Sequence, residues 1–200
     1  MKKLILILVV IVIVLGAAIT GAFVATNSSK PFQEGVIEEG YYFNAQAKLM
    51  FLFPTGWNGE LGYNPSLDNL MTITSSGQAT VRDFSAMNPL TGSNVQIIYA
   101  KSPLFQTLES IAEASMEQAV LEANEQGMSI ERNDSFQKTI AGKDCQVEVV
   151  EMEIEGLTFH AYCCFFTVEE YTGLIVIVPN ELVDSSDSFD GICKSFMSLE

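Results

Sequence analysis

The stretch DCQVEVVEMEIEGLTFHAYCCFFTV, Asp144 to Val168, decides how the second half of the chain is read. Asp144 to Ile154 is rich in valine and isoleucine with polar residues between them, Glu155-Gly156 supplies a tight turn, and Leu157 to Val168 returns with aromatic and β-branched residues. A two-residue loop fixes the pairing, so Cys164 faces Val147, Cys163 faces Glu148, His160 faces Glu151 and Cys145 faces Phe166. Successive residues of a strand point to opposite sides. Cys163 and Cys164 therefore cannot aim at one metal, and the C-x₂₋₄-C spacing of a structural zinc site is missing. His160 shares a face with Cys164 but stands four residues away, roughly 13 Å along an extended strand, which is too far for proton transfer. His160 and Glu151 read as a surface cross-strand pair.

Working outward, Met128 to Lys138 precedes this hairpin as a strand, and Gly173 to Val178 follows it, ended by Pro179. Upstream, Leu108, Ile111, Ala112, Ser115, Ala119 and Ala123 recur at helical steps while Glu109, Glu113, Glu117 and Glu122 fall between them. An amphipathic helix ending near Gly127 is predicted. Gly40 to Trp57 suggests a strand, a turn and a second strand stopped by Pro54, with Trp57 plugging the core beside the turn. Further strands are expected near Leu70–Ser75, Thr80–Met87 and Asn94–Ala100, the last two separated by the Asn88-Pro89-Leu90-Thr91-Gly92 break. Phe189, Ile192, Cys193, Phe196 and Met197 mark a closing helix, with Ser185 to Asp187 placed to cap it.

The 200-residue chain opens differently. Leu4 to Ala25 contains no charged residue, and about 20 such residues suffice to cross a bilayer. Residues 1–26 are read as a transmembrane anchor or a signal peptide, 27–39 as a tether and 40–200 as one domain. Apolar character continuing through Phe23 and Val24 favours retention; Gly16, Ala17 and Ala18 offer the signal-peptide alternative, with secretion after cleavage. Lys2 and Lys3 hold the amino terminus inside, so the expected location is a single pass through the cell membrane with the C-terminal domain outside. All 25 acidic residues and 8 of the 10 basic ones follow the apolar segment, giving 8 − 25 = −17 for the exported part. Such a surface repels phosphate backbones, and nucleic acid is excluded as a partner.

No catalytic, cofactor-binding or metal-ligating residue is assigned. The sequence lacks G-x-S-x-G, P-loop, dinucleotide-binding and H-E-x-x-H motifs. Asp184, Asp187 and Asp190 match a calcium loop in number but not in spacing, and helix capping accounts for them. In an oxidising compartment a disulfide among Cys145, Cys164 and Cys193 is a candidate, the alternative being buried free thiols.

The pieces YYFNAQAKLMFLFPTGW (Tyr41–Trp57), DFSAMNPLTGSNVQIIYAK (Asp83–Lys101), SIAEASMEQAVLEAN (Ser110–Asn124), the hairpin from Ser135 to Phe166 with Ile140 to Gly142 at its turn, and FDGICKSFMSL (Phe189–Leu199) occur in an order that resembles the Mog1/PsbP-like superfamily, including DcrB-type bacterial domains. That resemblance implies an α+β fold, an α/β/α sandwich with a mainly antiparallel sheet flanked by helices. It also implies a binding or assembly module with no common enzyme activity, attached to photosystem II in one branch and to a small GTPase in another. The expected function is a membrane-tethered extracytoplasmic domain that catalyses nothing and binds a protein or envelope component. Two alternatives stand beside it. One is a hydrolase of envelope polymers built from scattered acids near Tyr41, Tyr42 and Trp57; the other is a cation-binding sensor using the acidic surface.

Overall fold

A computed structural model describes residues 32–62, 81–102, 106–125, 129–154, 157–180 and 187–199. Among these residues eleven strands form two antiparallel sheets. The larger, in the order β4-β5-β6-β10-β9-β8-β7, contains β4 (Asn58–Leu61), β5 (Val81–Met87), β6 (Asn94–Lys101), β7 (Ser129–Ile140), β8 (Lys143–Ile154), β9 (Leu157–Val168) and β10 (Tyr171–Val178). The smaller, in the order β1-β2-β3-β11, contains β1 (Val36–Glu38), β2 (Tyr41–Asn44), β3 (Leu49–Leu52) and β11 (Phe196–Ser198). Two helices are described, α1 (Leu108–Glu125) and α2 (Phe189–Cys193).

The β8–β9 register is the anticipated one: Val147 pairs with Cys164, Glu148 with Cys163 and Glu151 with His160, and Ile154 against Leu157 leaves two residues for the turn. Before it, Ala141 and Gly142 both adopt positive φ, 50° and 72°. That is the type I′ geometry whose twist matches paired strands. Strand β10 is buried at every position because it lies mid-sheet between two cores. Its Gly173 is required by close approach: a Cβ there would lie 2.3 Å from the Phe166 ring, which covers it.

One core lies under α1, where Ile111, Ala112, Met116, Ala119 and Ala123 meet Ile98, Val150, Cys163, Phe165 and Val176. The buried helix stripe follows the predicted one from Ile111 to Ala123 with Met116 added, and Leu108 at its start is only partly buried. The Thr107 hydroxyl accepts the Ser110 amide at 3.2 Å and so caps the first turn. The second core lies on the opposite face, where Tyr42, Leu49, Phe51 and Phe196 of the small sheet meet Phe84, Ile97, Val147, Cys164 and Ile175.

This second layer overturns the expectation of a helix–sheet–helix sandwich. The far face of the large sheet is covered mainly by a four-stranded sheet, and the order is helix, sheet, sheet. The predicted closing helix is the source of the difference. It stops at Cys193, and Phe196 to Ser198 instead pair with Phe51 to Leu49, completing the small sheet. Within the stretch read as a tether, Phe32 stacks on Tyr99 with ring centroids 4.2 Å apart, and Val36 to Glu38 form β1. The strand expected at Leu70–Ser75 and the apolar segment Leu4–Ala25 lie outside the described residues. Within them, no helix is long and apolar enough to cross a membrane.

Candidate functional site

The cysteines come first, because they carried the strongest chemical signal. Cys163 is in the core under α1 and Cys164 in the core facing the small sheet, so the adjacent thiols sit on opposite sides of the sheet. All four cysteines are free thiols in the structure. Burial pushes the Cys145 thiol up to about 11 and that of Cys193 to about 12, and raises Cys163 and Cys164 as well. A buried thiol held in its protonated form is a poor nucleophile. Cys145, Cys164 and Cys193 all belong to or pack against the small-sheet core. His160 Nε2 lies 3.2 Å from Glu151 Oε2, both side chains close to half exposed. Among the described residues no three His, Cys, Asp or Glu side chains converge as a metal site.

The buried carboxylates show where polar chemistry was committed. Asp83 is the extra residue where the β5–β6 register shifts between Arg82 and Phe84. This bulge aims it between the sheets, where it accepts from the Gly35 amide at 2.6 Å, the Tyr42 hydroxyl at 2.5 Å and the Asn44 amide at 2.6 Å. Glu148 takes Arg132 at 2.8 Å and the Ser135 hydroxyl at 2.8 Å. Both groups are saturated by donors of their own chain.

Asp187 is the third, and it organises a surface. It accepts from Trp57 Nε1 at 3.4 Å, from Asn88 Nδ2 at 3.1 Å and from the Thr91 hydroxyl. Two of those donors belong to the loop between β5 and β6. The same loop is closed by the Asn88 amide on the Ser93 carbonyl at 2.9 Å and by Gly92 on the Asn88 carbonyl at 2.8 Å. Asn88 Oδ1 receives the Leu90 amide at 3.0 Å, and Asn180 donates to the Thr91 carbonyl at 2.7 Å. On this fixed scaffold Leu90 is 87% exposed. The sequence showed Asn88–Gly92 as a break; the acid that locks it stands about a hundred residues away, which no local pattern reveals. Asp187 is thus no helix cap. Ser188 is the cap, its hydroxyl accepting the Gly191 amide at 3.1 Å, while Asp190 binds Lys138 at 2.8 Å. Asp184 lies outside the described residues.

A cleft of about 380 Å³ opens where the start of α1 meets β7 and β8. Glu109, Lys138 and Asp144 line it, and among the described residues none of the lining is aromatic. Of the residues around which a polymer hydrolase was an alternative, Tyr42 and Trp57 are buried and hydrogen-bonded to Asp83 and Asp187.

Among solved structures, the chain is similar to the solution structure of cyanobacterial PsbP (CyanoP) from Synechocystis sp. PCC 6803. The TM-score is 0.55 at 13% identity, over 87% of this chain and 98% of that one. The fold is PsbP-like. Identity this low carries the fold and nothing finer. No family model and no curated protein sequence matches the chain.

Proposed function

We propose that this protein is a membrane-tethered extracytoplasmic domain that binds a protein or envelope component and catalyses nothing. The observation that carries the reading is the Asn88–Ser93 loop, held by Asp187 and Asn180 so that Leu90 projects from a prefixed backbone. A contact loop ordered before it meets its partner loses little conformational freedom on binding. The buried thiols and the saturated Asp83 and Glu148 supply no activated nucleophile or base, which supports a binding role. The PsbP-like fold and the apolar segment Leu4–Ala25 support placement outside the cytoplasm.

Two measurements test it. In spheroplasts of a bacterial host, full-length protein should sediment with membranes while a C-terminal tag is removed by added protease. A protected tag overturns the orientation, and soluble release of the whole chain overturns the tether. A photo-crosslinking residue at position 90 should give one discrete adduct in the native host, lost in Asp187→Ala; no adduct at position 90 moves the binding surface elsewhere, and an adduct that persists in Asp187→Ala overturns the role of the prefixed loop.

A further inference from the structure

The two outermost surfaces of the three layers differ in kind. The outer side of α1 exposes Glu109, Glu113, Glu117 and Glu125. On the other side of the molecule, the small sheet turns Val36, Phe43, Met50 and Met197 outward in one cross-strand row. Tyr41 and Leu52 pair in the next row, so six apolar or aromatic side chains adjoin. Val36, Leu52 and Met197 are 45%, 40% and 44% exposed. The charged group in these rows, Glu38, accepts the Tyr41 hydroxyl. A contiguous apolar face on so acidic a protein marks a contact surface.

The chain itself indicates the occupant. The apolar segment ends at Ala25, and Phe32 is already wedged between Tyr99 and Tyr171. Seven residues span at most about 25 Å. The chain then enters β1, whose Val36 begins the apolar row. A membrane surface carrying anionic lipid repels the acidic helix side and leaves the mostly apolar sheet, whose Glu38 is paired with Tyr41, as the side that can approach. Tyrosine and methionine suit such a boundary, one by its amphipathic ring and the other by its adaptable side chain.

We infer that the outer face of the β1-β2-β3-β11 sheet rests on the bilayer surface, with α1 turned away from it. This rests on the tethered reading above, and the test separates the two. Full-length protein is reconstituted into vesicles of phosphatidylcholine and phosphatidylglycerol with or without brominated acyl chains, and tryptophan emission is compared for Met197→Trp, Val36→Trp, Leu121→Trp and Phe23→Trp. Trp57 is buried and gives a common baseline. The expected result is a blue shift and bromolipid quenching at 197 and 36, none at Leu121 on the exposed side of α1, and strong quenching at 23. Quenching at 23 with 197 and 36 behaving like 121 overturns the inference and leaves the tether standing. An unquenched residue 23 overturns both. A blue shift at 197 that follows protein density and ignores bromine assigns the face to a second copy of the chain, which also overturns the inference.

Discussion

Asp83 shows how one inserted residue joins two sheets. Its carboxylate gathers the Gly35 amide, the Tyr42 hydroxyl and the Asn44 side chain, one donor from the chain leading into β1 and two from β2. Removing the acceptor takes this partner from the Gly35 amide and the Tyr42 hydroxyl and leaves Asn44 Nδ2 with the Gln33 carbonyl alone, each lost bond to a buried donor costing about 1–3 kcal/mol. Asp83→Ala is therefore expected to lower stability by about 3–5 kcal/mol, read from the urea midpoint. Tyr42→Phe, which keeps the ring stacked on Phe84 at 4.3 Å, should cost about 1 kcal/mol. Equal losses for the two would show that the Tyr42 hydroxyl bond alone, not the threefold grip of the carboxylate, joins the layers. The same scale governs the lone histidine. His160→Ala should change stability by less than about 0.5 kcal/mol, because its partner Glu151 is partly exposed and the pair is open to water. Its role as a surface pair was readable from the hairpin register alone. Asp83 was not: a bulge is set by what the strand must reach, and that target is about forty residues away.

At the level of elements, legibility followed length and closeness in sequence. The twelve-residue strands β8 and β9 and the helix α1 announce themselves by pattern, and a two-residue connection fixes the β8–β9 pairing. The three-residue strands β1 and β11 do not, since so short a run shows no alternation. β11 reads as the end of a helix because Phe196 follows Ile192 at a helical step, yet its partner β3 supplies the ladder. The outer layer changed from helix to sheet for that reason. Gly173 in β10 offers a test in which two effects oppose one another. Replacing a strand glycine by alanine ordinarily gains about 0.5–1 kcal/mol. Here the new methyl would meet three atoms of the Phe166 ring at 2.6 Å or less, in a strand buried throughout. Gly173→Ala should lose about 1–3 kcal/mol by chemical denaturation. A gain would mean that the ring swings aside freely.

For the molecule as a whole, burial of titratable groups in both cores predicts alkaline weakness. Thiols ordinarily titrate near 9, whereas Cys145 is raised to about 11 and Cys193 to about 12 by burial, with Cys163 and Cys164 also raised. Burial likewise raises the hydroxyls of Tyr42 and Tyr99 above their ordinary 10. The folded protein keeps these protons after the unfolded chain has released them. Stability is accordingly intact below pH 9 and falls as pH rises from about 9 towards 12, by about 1.4 kcal/mol per unit for each such group. Urea unfolding at pH 8, 9.5 and 10.5 should give falling midpoints at constant slope; a flat profile would place the thiols in contact with solvent. Unfolding without reductant at pH 8 should also expose four alkylatable thiols per chain, matching the free cysteines. Three would point to a bond between molecules, and two to an internal bridge involving the Cys145, Cys164 and Cys193 group.

The wedge of Phe32 between Tyr99 and Tyr171 has a mechanical side. Tension on the leading chain meets this aromatic plug, and the Gly35 grip on Asp83 just behind it, before it reaches the hydrogen-bond ladder of β1. The load is thereby delivered to β6 and β10 in the centre of the large sheet instead of peeling the molecule from a rim, so a leash attached here can be tugged without fraying what it holds.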